Sequence, residues 1–398
     1  MLLSPVISRL FSPADFGIYA VYSALLGIIG VAATGKFELA IPLEGSRAGA
    51  SAVTIVSFAL LLSVCVGLLL IAGFFSSDVL LVLNIVELSD YALAIPVGVL
   101  ALGSFQIATY VSIREQRFSG LALSRFANGS CLAAIHTILG FFSLGSIGLI
   151  IGQIASHLVS LLVISGPTLR LISDKRQTCA RILAVGRRYS NFPRYSAPAG
   201  ALNAATVRAP AALLTMLFGA AVGGAFLFCQ TVLAAPTMVF GRAIGQVYLS
   251  SVAIRRRERK ADISGFFIRT TFRLAIIAVV PAIFIAVFGP RVFVFVFGES
   301  WSLAGQMSRL LALAVFAEFI IVPIGQTLEM LERQSVQLLW DLMRFIGVIV
   351  TIFVSYSYGQ TPISTVRWYV CFLVLSYIVF YTFVLRACLS HDRAAATK

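Results

Sequence analysis

The stretch LFSPADFGIY (Leu10–Tyr19) decides how the rest of the chain is read. Pro13 cannot donate a backbone hydrogen bond and turns Ser12 away from helical angles. Ser12 and Asp15 are natural helix caps, and an apolar run begins at Phe16. This is a turn between two helices, the first of which is nearly absent. Its pattern, LF-x4-FG-I-Y, returns as LF-x4-GG-A-F at Leu217–Phe226, an offset of 207 residues. A second correspondence joins ATYVSIREQRF around Tyr110 to GQTLEMLERQS around Leu328, with Gln116 and Gln334 placed alike. An internal repeat with this parity implies two parallel halves related by an axis along a membrane normal.

The membrane itself follows from composition. Of 398 residues, 59% are hydrophobic and 12% charged, where an ordinary soluble domain has roughly a quarter charged. Charges are missing from Asp15 to Lys36, Arg47 to Asp78, Asp90 to Arg114, Arg125 to Arg170, Arg208 to Arg242 and Arg344 to Arg367. A bilayer core takes about 20 apolar helical residues, so each interval holds a span and the longest holds two. The expected spans are 16–34, 51–75, 91–112, 126–143, 146–166, 195–217, 221–248, 265–289, 303–328, 338–357 and 366–387. That makes an all-α polytopic membrane protein with about 11 complete transmembrane helices and a stub, MLLSPVISRL, in place of the first. The six cysteines form no disulfide framework and no CxxC metal signature.

The net charge of +14 suggests a nucleic-acid partner only until its distribution is counted. Loops 35–50, 112–125, 170–194, 252–263, 331–344 and the tail from Arg386 carry 22 of the 30 basic residues, and the opposite loops carry three, Arg9, Arg291 and Arg367. The positive-inside rule then places the C-terminus and the basic loops in the cytoplasm. The run IRRRERK (Ile254–Lys260) reads as a flank that touches anionic lipid rather than nucleic acid. A chain entering from the cytoplasm needs a complete helix before Leu10, so the expectation is a start upstream, which restores twelve helices. The organisation expected is an N-terminal lobe at 1–169, a basic cytoplasmic linker at 170–194 and a C-terminal lobe at 195–398, two pseudo-symmetric six-helix lobes.

Five stretches, in order, carry a resemblance: PVISRLFSPADFGIYA (Pro5–Ala20), GKFELAIPL (Gly35–Leu43), RYSNFPRYSAPAGALNA (Arg188–Ala204), FGESWSLAG (Phe297–Gly305) and LERQSVQLLWDLMRF (Leu331–Phe345). Together they resemble the polysaccharide transporter family, the Wzx-like oligosaccharide flippases of the multidrug/oligosaccharidyl-lipid/polysaccharide (MOP) exporter superfamily. The resemblance implies a V-shaped twelve-helix fold working by alternating access in the bacterial inner membrane. The implied substrate is an undecaprenyl-pyrophosphate-linked repeat unit of O-antigen, capsule or exopolysaccharide, carried from the cytoplasmic to the periplasmic leaflet. It also implies a cationic cavity, coupling to a proton or sodium gradient, and work alongside polysaccharide polymerase and export machinery. The chain departs from the family at its N-terminus, where the first helix is largely missing.

Such a transporter breaks no bond, so the residues that matter are fixed countercharges for a phosphate crossing a region where a charge costs about 2.5–3.5 kcal/mol or more. Arginine suits phosphate through its forked donors and permanent charge. Arg208, deep in its span and two residues before Pro210, is the sharpest candidate; the alternatives are that it snorkels outward or pairs with an acid. Arg269 and Arg273, four apart on one helical face, fit a pyrophosphate, although Arg269 equally fits a basic anchor. Glu318, mid-span, is read as an ion-coupling site, a charge partner for an arginine or an interior polar contact. Gln153 and His157, one turn apart, either line a cavity for sugar hydroxyls or bond between helices, and Asn203 and Gln246 have the same two readings. His136 reads as packed. Trp301, Tyr356 and Tyr358 read as interfacial anchors, Gly17, Gly35 and Gly224 as turns or close helix approaches, and Glu38 as a partner of Lys36 or the cap of a short interfacial helix.

Three other functions compete. A drug or organic-cation exporter on the same superfamily fold needs an acidic or aromatic cavity, and the internal arginines weigh against it. A membrane-embedded polymerase or ligase needs a sizeable external loop, and the external loops here reach about 15 residues. A non-transporting scaffold tolerates a missing helix most easily.

Overall fold

The computed structural model describes residues 3–82, 91–173, 178–257, 262–331 and 333–396, and no strand occurs among them. The helices are α1 (Ser4–Leu10), α2 (Pro13–Ala32), α3 (Arg47–Val82), α4 (Ala94–Arg114), α5 (Phe118–Phe141), α6 (Gly145–Ile172) and α7 (Cys179–Arg188). They continue as α8 (Ala197–Phe218), α9 (Ala220–Arg257), α10 (Ile263–Phe297), α11 (Ser302–Ile324), α12 (Thr327–Met330), α13 (Gln334–Ser357) and α14 (Pro362–Ala396). Among the described residues nine helices are long and apolar enough to cross a membrane. The other two expected spans are α5, 24 residues long and broken in polarity by Arg125, Asn128 and His136, and α9, apolar over Ala220–Ala235. The chain is a multi-pass, all-helical membrane protein.

The opening turn forms as its residues dictate. The Ser12 hydroxyl accepts the Asp15 N–H at 3.2 Å, the Asp15 carboxylate accepts the Ser12 N–H at 2.8 Å, and Pro13 takes the first helical position. Its repeat ends α8 at Gly219, whose φ of 95° favours glycine, and starts α9 at Ala220. The two turns meet. A Cβ on Gly17 would collide with the Ala220 carbonyl, and one on Gly224 with the Pro13 carbonyl. Under the 207-residue offset Pro13 is the equivalent of Ala220 and Gly17 of Gly224, so the contact is reciprocal, as across a two-fold axis. Both glycines serve close helix approach.

Contacts divide the chain into two compact units, Val6–Gly224 and Ala225–Lys398 with Met1–Pro5. This division falls within the first turns of α9, after α8. The reason is the seam between α8 and α2: Gly17 and Gly27 let the backbones close, and Thr215 Oγ1 donates to the Gly17 carbonyl at 3.2 Å. In the first unit α2, α3 and α4 share a core that includes Val21, Leu26, Val53, Leu61, Val99 and Ile107. In the second, α10 pairs with α11, and Phe228 packs on Phe297 and Trp301 with ring centroids 4.9 and 4.1 Å apart.

Two expectations change here. Trp301 is fully buried in that aromatic cluster, so it is a packing residue and not an interfacial anchor; only Tyr356 and Tyr358 are exposed as anchors are. Arg344, assigned by sequence to the 331–344 loop, lies inside α13 with its side chain 13% exposed. Its helix begins at Gln334, and Gln337, Asp341 and Arg344 recur at helical spacing to form an internal polar stripe. Of the linker, residues 174–177 lie outside the described residues, and α7 is a short amphipathic helix with Val185 buried and Arg187 and Arg188 exposed. Of IRRRERK, Glu258–Lys260 lie outside the described residues; Arg255 stacks over the Phe266 ring at 3.9 Å.

Candidate functional site

In the first unit, five helices converge on one polar cluster. Tyr19 of α2 donates its hydroxyl to the Gln153 side-chain oxygen of α6. One turn on, His157 Nε2 lies 3.4 Å from Gln153 Nε2, and its Nδ1 lies 3.4 Å from Asn128 Nδ2 of α5. Asn128 Nδ2 also donates to the Ser156 carbonyl at 3.1 Å. The Phe105 ring of α4 stacks on the imidazole, 6.2 Å between centroids. Arg208 of α8 reaches the same place across α2. Its guanidinium occupies the space a Cβ on Gly27 would need, and Nη1 donates to the Ser23 carbonyl at 3.3 Å. From there its charge acts on both Tyr19 and His157.

Arg208, Gln153 and His157 are therefore brought together, with Tyr19, Asn128 and Phe105 completing the set. Sequence reading missed Tyr19 because a tyrosine three residues into an apolar run carries no sign of facing inward. Among the described residues Arg208 has no carboxylate within ion-pair distance, so its charge is held by a backbone carbonyl and by polar side chains. Asn203 is exposed and stands apart from the cluster, as Gln246 does in the second unit. His136 is packed as expected, its Nε2 3.0 Å from the Leu149 carbonyl between the rings of Phe11 and Tyr19.

A second cluster lies within the second unit. Glu318 of α11 faces Arg344 of α13, which supplies the opposite charge, with Tyr369 and Tyr377 of α14 beside it. The Arg344 guanidinium sits 4.5 Å over the Trp340 ring, 3.7 Å from the Asp341 carboxylate, and against the Tyr377 hydroxyl. Its buried Nε has no hydrogen-bond partner among the described residues. The charge of Arg344 thus acts on Glu318, although among the described residues the two are not within ion-pair distance. Arg269 pairs with Asp262 at 2.9 Å on an exposed surface, and Arg273, one turn further, is also exposed.

At the basic end of the first unit Gly35 and Lys36 turn through left-handed backbone, φ 60° and 58°, into a 3-10 helix, Phe37–Leu43. Glu38 in its first turn is 1% exposed, accepts the Thr34 hydroxyl at 2.5 Å and lies 4.0 Å from Lys36. Burial pushes its carboxyl above the usual carboxylate range, against the pull of Thr34 and Lys36. Nearby, Glu44 accepts the Tyr189 hydroxyl at 2.9 Å and pairs with Arg188 at 3.3 Å, which ties the segment after α6 to the α2–α3 connection.

The sequence profile of the family described as "Polysaccharide biosynthesis protein" matches residues 6–305, three quarters of the chain. The chain belongs to this family. Among solved structures it resembles the lipid II flippase MurJ in its inward closed conformation, with a TM-score of 0.75 at 10% identity, covering 100% of this chain and 88% of that one. It also resembles a multidrug resistance MATE family transporter of the MOP superfamily in its inward-facing conformation, with a TM-score of 0.71 at 16% identity, covering 98% and 94%. A eukaryotic MATE transporter, AtDTX14, follows with a TM-score of 0.58 at 15% identity, covering 99% and 89%. At these identities the likeness is one of fold. No curated protein sequence matches the chain. The chain is thus a multi-pass membrane protein of the polysaccharide biosynthesis family with a fold like that of these transporters.

Proposed function

We propose that the chain flips undecaprenyl-pyrophosphate-linked oligosaccharide repeat units, precursors of O-antigen, capsule or exopolysaccharide, across the bacterial inner membrane by alternating access. The observation that carries this reading is Arg208: an accessible guanidinium inside a membrane span that donates to the Ser23 carbonyl and whose charge acts on Tyr19 and His157. A permanent cation in low dielectric favours an anionic visitor, and the surrounding hydroxyl and amide groups fit sugar. No bond is made or broken in such a cycle. Arg208 takes the phosphate, while Gln153 and His157 meet the first sugar. Asn203, Arg269 and Arg273 are secondary contacts at most, since Asn203 stands outside the cluster and Arg269 is already paired.

Glu318 is the proposed coupling residue for protons or sodium, because it is a carboxylate within a span of the second unit on which the charge of Arg344 acts, with Tyr369 and Tyr377 nearby. The same acidic and aromatic cluster favours the second reading, export of an organic cation. The C-terminus is assigned to the cytoplasm by the distribution of basic residues, and polymerase or export components are the proposed partners.

The test is Arg208→Ala in a strain whose own flippase is deleted. Repeat-unit export falls more than about tenfold while the membrane level of the protein is unchanged, and Arg208→Lys retains part of it. Undiminished surface polysaccharide in Arg208→Ala refutes the site; export of a cationic dye abolished by Glu318→Gln favours the second reading.

A further inference from the structure

Four polar side chains of the first unit, Tyr19, Gln153, His157 and Asn128, are joined in a line across α2, α6 and α5, and their chemistry fixes which way each hydrogen points. The fixed end is Asn128. Its Nδ2 lies 3.1 Å from the Ser156 carbonyl and 3.4 Å from His157 Nδ1. A carbonyl oxygen only accepts, so the amide nitrogen of Asn128 must face it, and a half-turn of this side chain would set two oxygens against each other. The second hydrogen on Nδ2 then goes to His157 Nδ1, which accepts it.

A neutral imidazole has one N–H and one acceptor nitrogen. With Nδ1 accepting, the proton sits on Nε2, and Nε2 meets the Gln153 amide at 3.4 Å. Two N–H groups cannot bond each other, so Gln153 turns its oxygen to His157 and its nitrogen to Tyr19. The oxygen and nitrogen of an amide exchange places by a half-turn of the last side-chain torsion, and the surrounding donors and acceptors decide between them. The bond between Tyr19 and Gln153 then runs from the amide to the phenol oxygen. An imidazolium is ruled out as well, since its Nδ1–H would face the hydrogens of Asn128. Only the neutral Nε2–H tautomer gives every hydrogen along the line an acceptor. Phe105, with its ring plane 22° from that of the imidazole and centroids 6.2 Å apart, holds the ring in place.

The consequence falls on Tyr19. Among the described residues Gln153 is the only hydrogen-bond partner of its hydroxyl, so with the oxygen accepting from Gln153 the hydroxyl hydrogen is left over. The rings of Phe16, Tyr22 and His136 surround Tyr19, and the charge of Arg208 acts on it. A spare O–H beside a permanent cation suits an oxyanion. We propose that Tyr19 donates a hydrogen bond to a phosphate oxygen of the transported lipid beside Arg208, and that Asn128, acting through His157 and Gln153, is the positioning residue that keeps that hydrogen free. The donor role rests on the flippase reading above; the tautomer does not. Gln153 keeps its second amide hydrogen for a sugar hydroxyl, and His157 acts through Gln153.

The test begins with imidazole nitrogen NMR on the full chain in detergent micelles, with His157→Gln to assign the signals. At neutral pH His157 carries its proton on Nε2 and none on Nδ1. A proton on Nδ1, or on both nitrogens, overturns the proposal, and this reading needs no variant to fold. In Asn128→Leu, which removes the fixed donor at similar volume, both tautomers appear; an unchanged tautomer removes Asn128 from its role. Retention of undecaprenyl phosphate is then measured by native mass spectrometry. Tyr19→Phe lowers it at least about tenfold, whereas Tyr22→Phe, whose lost hydroxyl donates to the Ala94 carbonyl at 3.4 Å, leaves it unchanged. Undecaprenol, which lacks the phosphate, is retained equally by wild type and Tyr19→Phe. Equal retention of undecaprenyl phosphate by those two proteins overturns the donor, as does an equal loss for undecaprenol. Inorganic phosphate displaces the lipid where the oxyanion alone is recognised and fails to where the tail is needed, and Tyr19 is the donor in either case. Translocation of a lipid-linked saccharide in vesicles is read separately. Retention that depends on Tyr19 without translocation refutes the flippase reading and leaves the donor standing, and translocation with retention indifferent to Tyr19 refutes the donor.

Discussion

Helices α2–α4 and α9–α11 descend from the same repeat, yet they have been put to different uses. The first set is drawn together by glycines at 30, 98 and 103, where a Cβ would meet Leu102, Tyr22 and Leu61, and its polar residues gather in one cluster beside Arg208. The second set is held apart in its middle third by Pro281 and the phenylalanines of α9 and α11, and its ionisable residues gather on α11, α13 and α14. Close packing permits a precise polar site, and loose packing gives an apolar recess. Which outcome follows depends on a few small residues and not on the fold.

The sharpest way to break this comparison is to add the same bulk to both sets. Gly17→Val in α2 drives its side chain into the Ala220 carbonyl, where backbone cannot yield. We expect a loss of at least about 3 kcal/mol, read as reduced membrane accumulation and a lower Tm in detergent. Ala282→Val makes a comparable addition in the apolar cleft of about 430 Å³ that α9, α10 and α11 line, and its Tm stays within about 2 °C of wild type. Equal damage from both would mean the two sets are packed alike.

The next effect concerns the second unit alone. Arg344→Ala leaves Glu318 buried without its countercharge, at a cost of about 3 kcal/mol. Adding Glu318→Gln to that variant restores most of the lost thermal stability, because a neutral amide needs no partner charge. A double variant no more stable than Arg344→Ala would show that Arg344 acts through its stacking on Trp340.

The smallest effect is at the basic end of the first unit. The Glu38 carboxyl is raised by burial, so the folded chain binds its proton more readily than the unfolded chain does, and stability falls as pH rises through that range. Glu38→Gln removes this dependence. It is therefore expected to unfold at a higher temperature than wild type at neutral pH, with the difference shrinking as pH is lowered towards the ordinary carboxylate range. A difference independent of pH would assign the effect to the Thr34 hydrogen bond instead.

Legibility from sequence follows the range of the forces involved. The helix start at Ser12 and Asp15, and the reading of Gly17, Gly35 and Gly224 as turns or close helix approaches, were readable because each depends on neighbours or on a repeat. Arg344 was counted among the basic residues of the 331–344 loop although the expected span 338–357 also included it, and α13 carries Gln337, Asp341 and Arg344 on one face. Trp301 was misplaced because an aromatic residue beside a turn looks the same in sequence whether it faces headgroups or the Phe228 ring.

The sequence by itself determined the membrane environment and the all-helical, multi-pass class. These are set by hydropathy and charge summed over some twenty residues at a time, and such sums survive any packing. The tertiary structure alone decided that α8 packs on α2, that Tyr19 joins Arg208 and that Arg344 faces Glu318. Those outcomes turn on ångström-scale contacts between residues far apart in the chain, where a single missing Cβ changes which surfaces can touch.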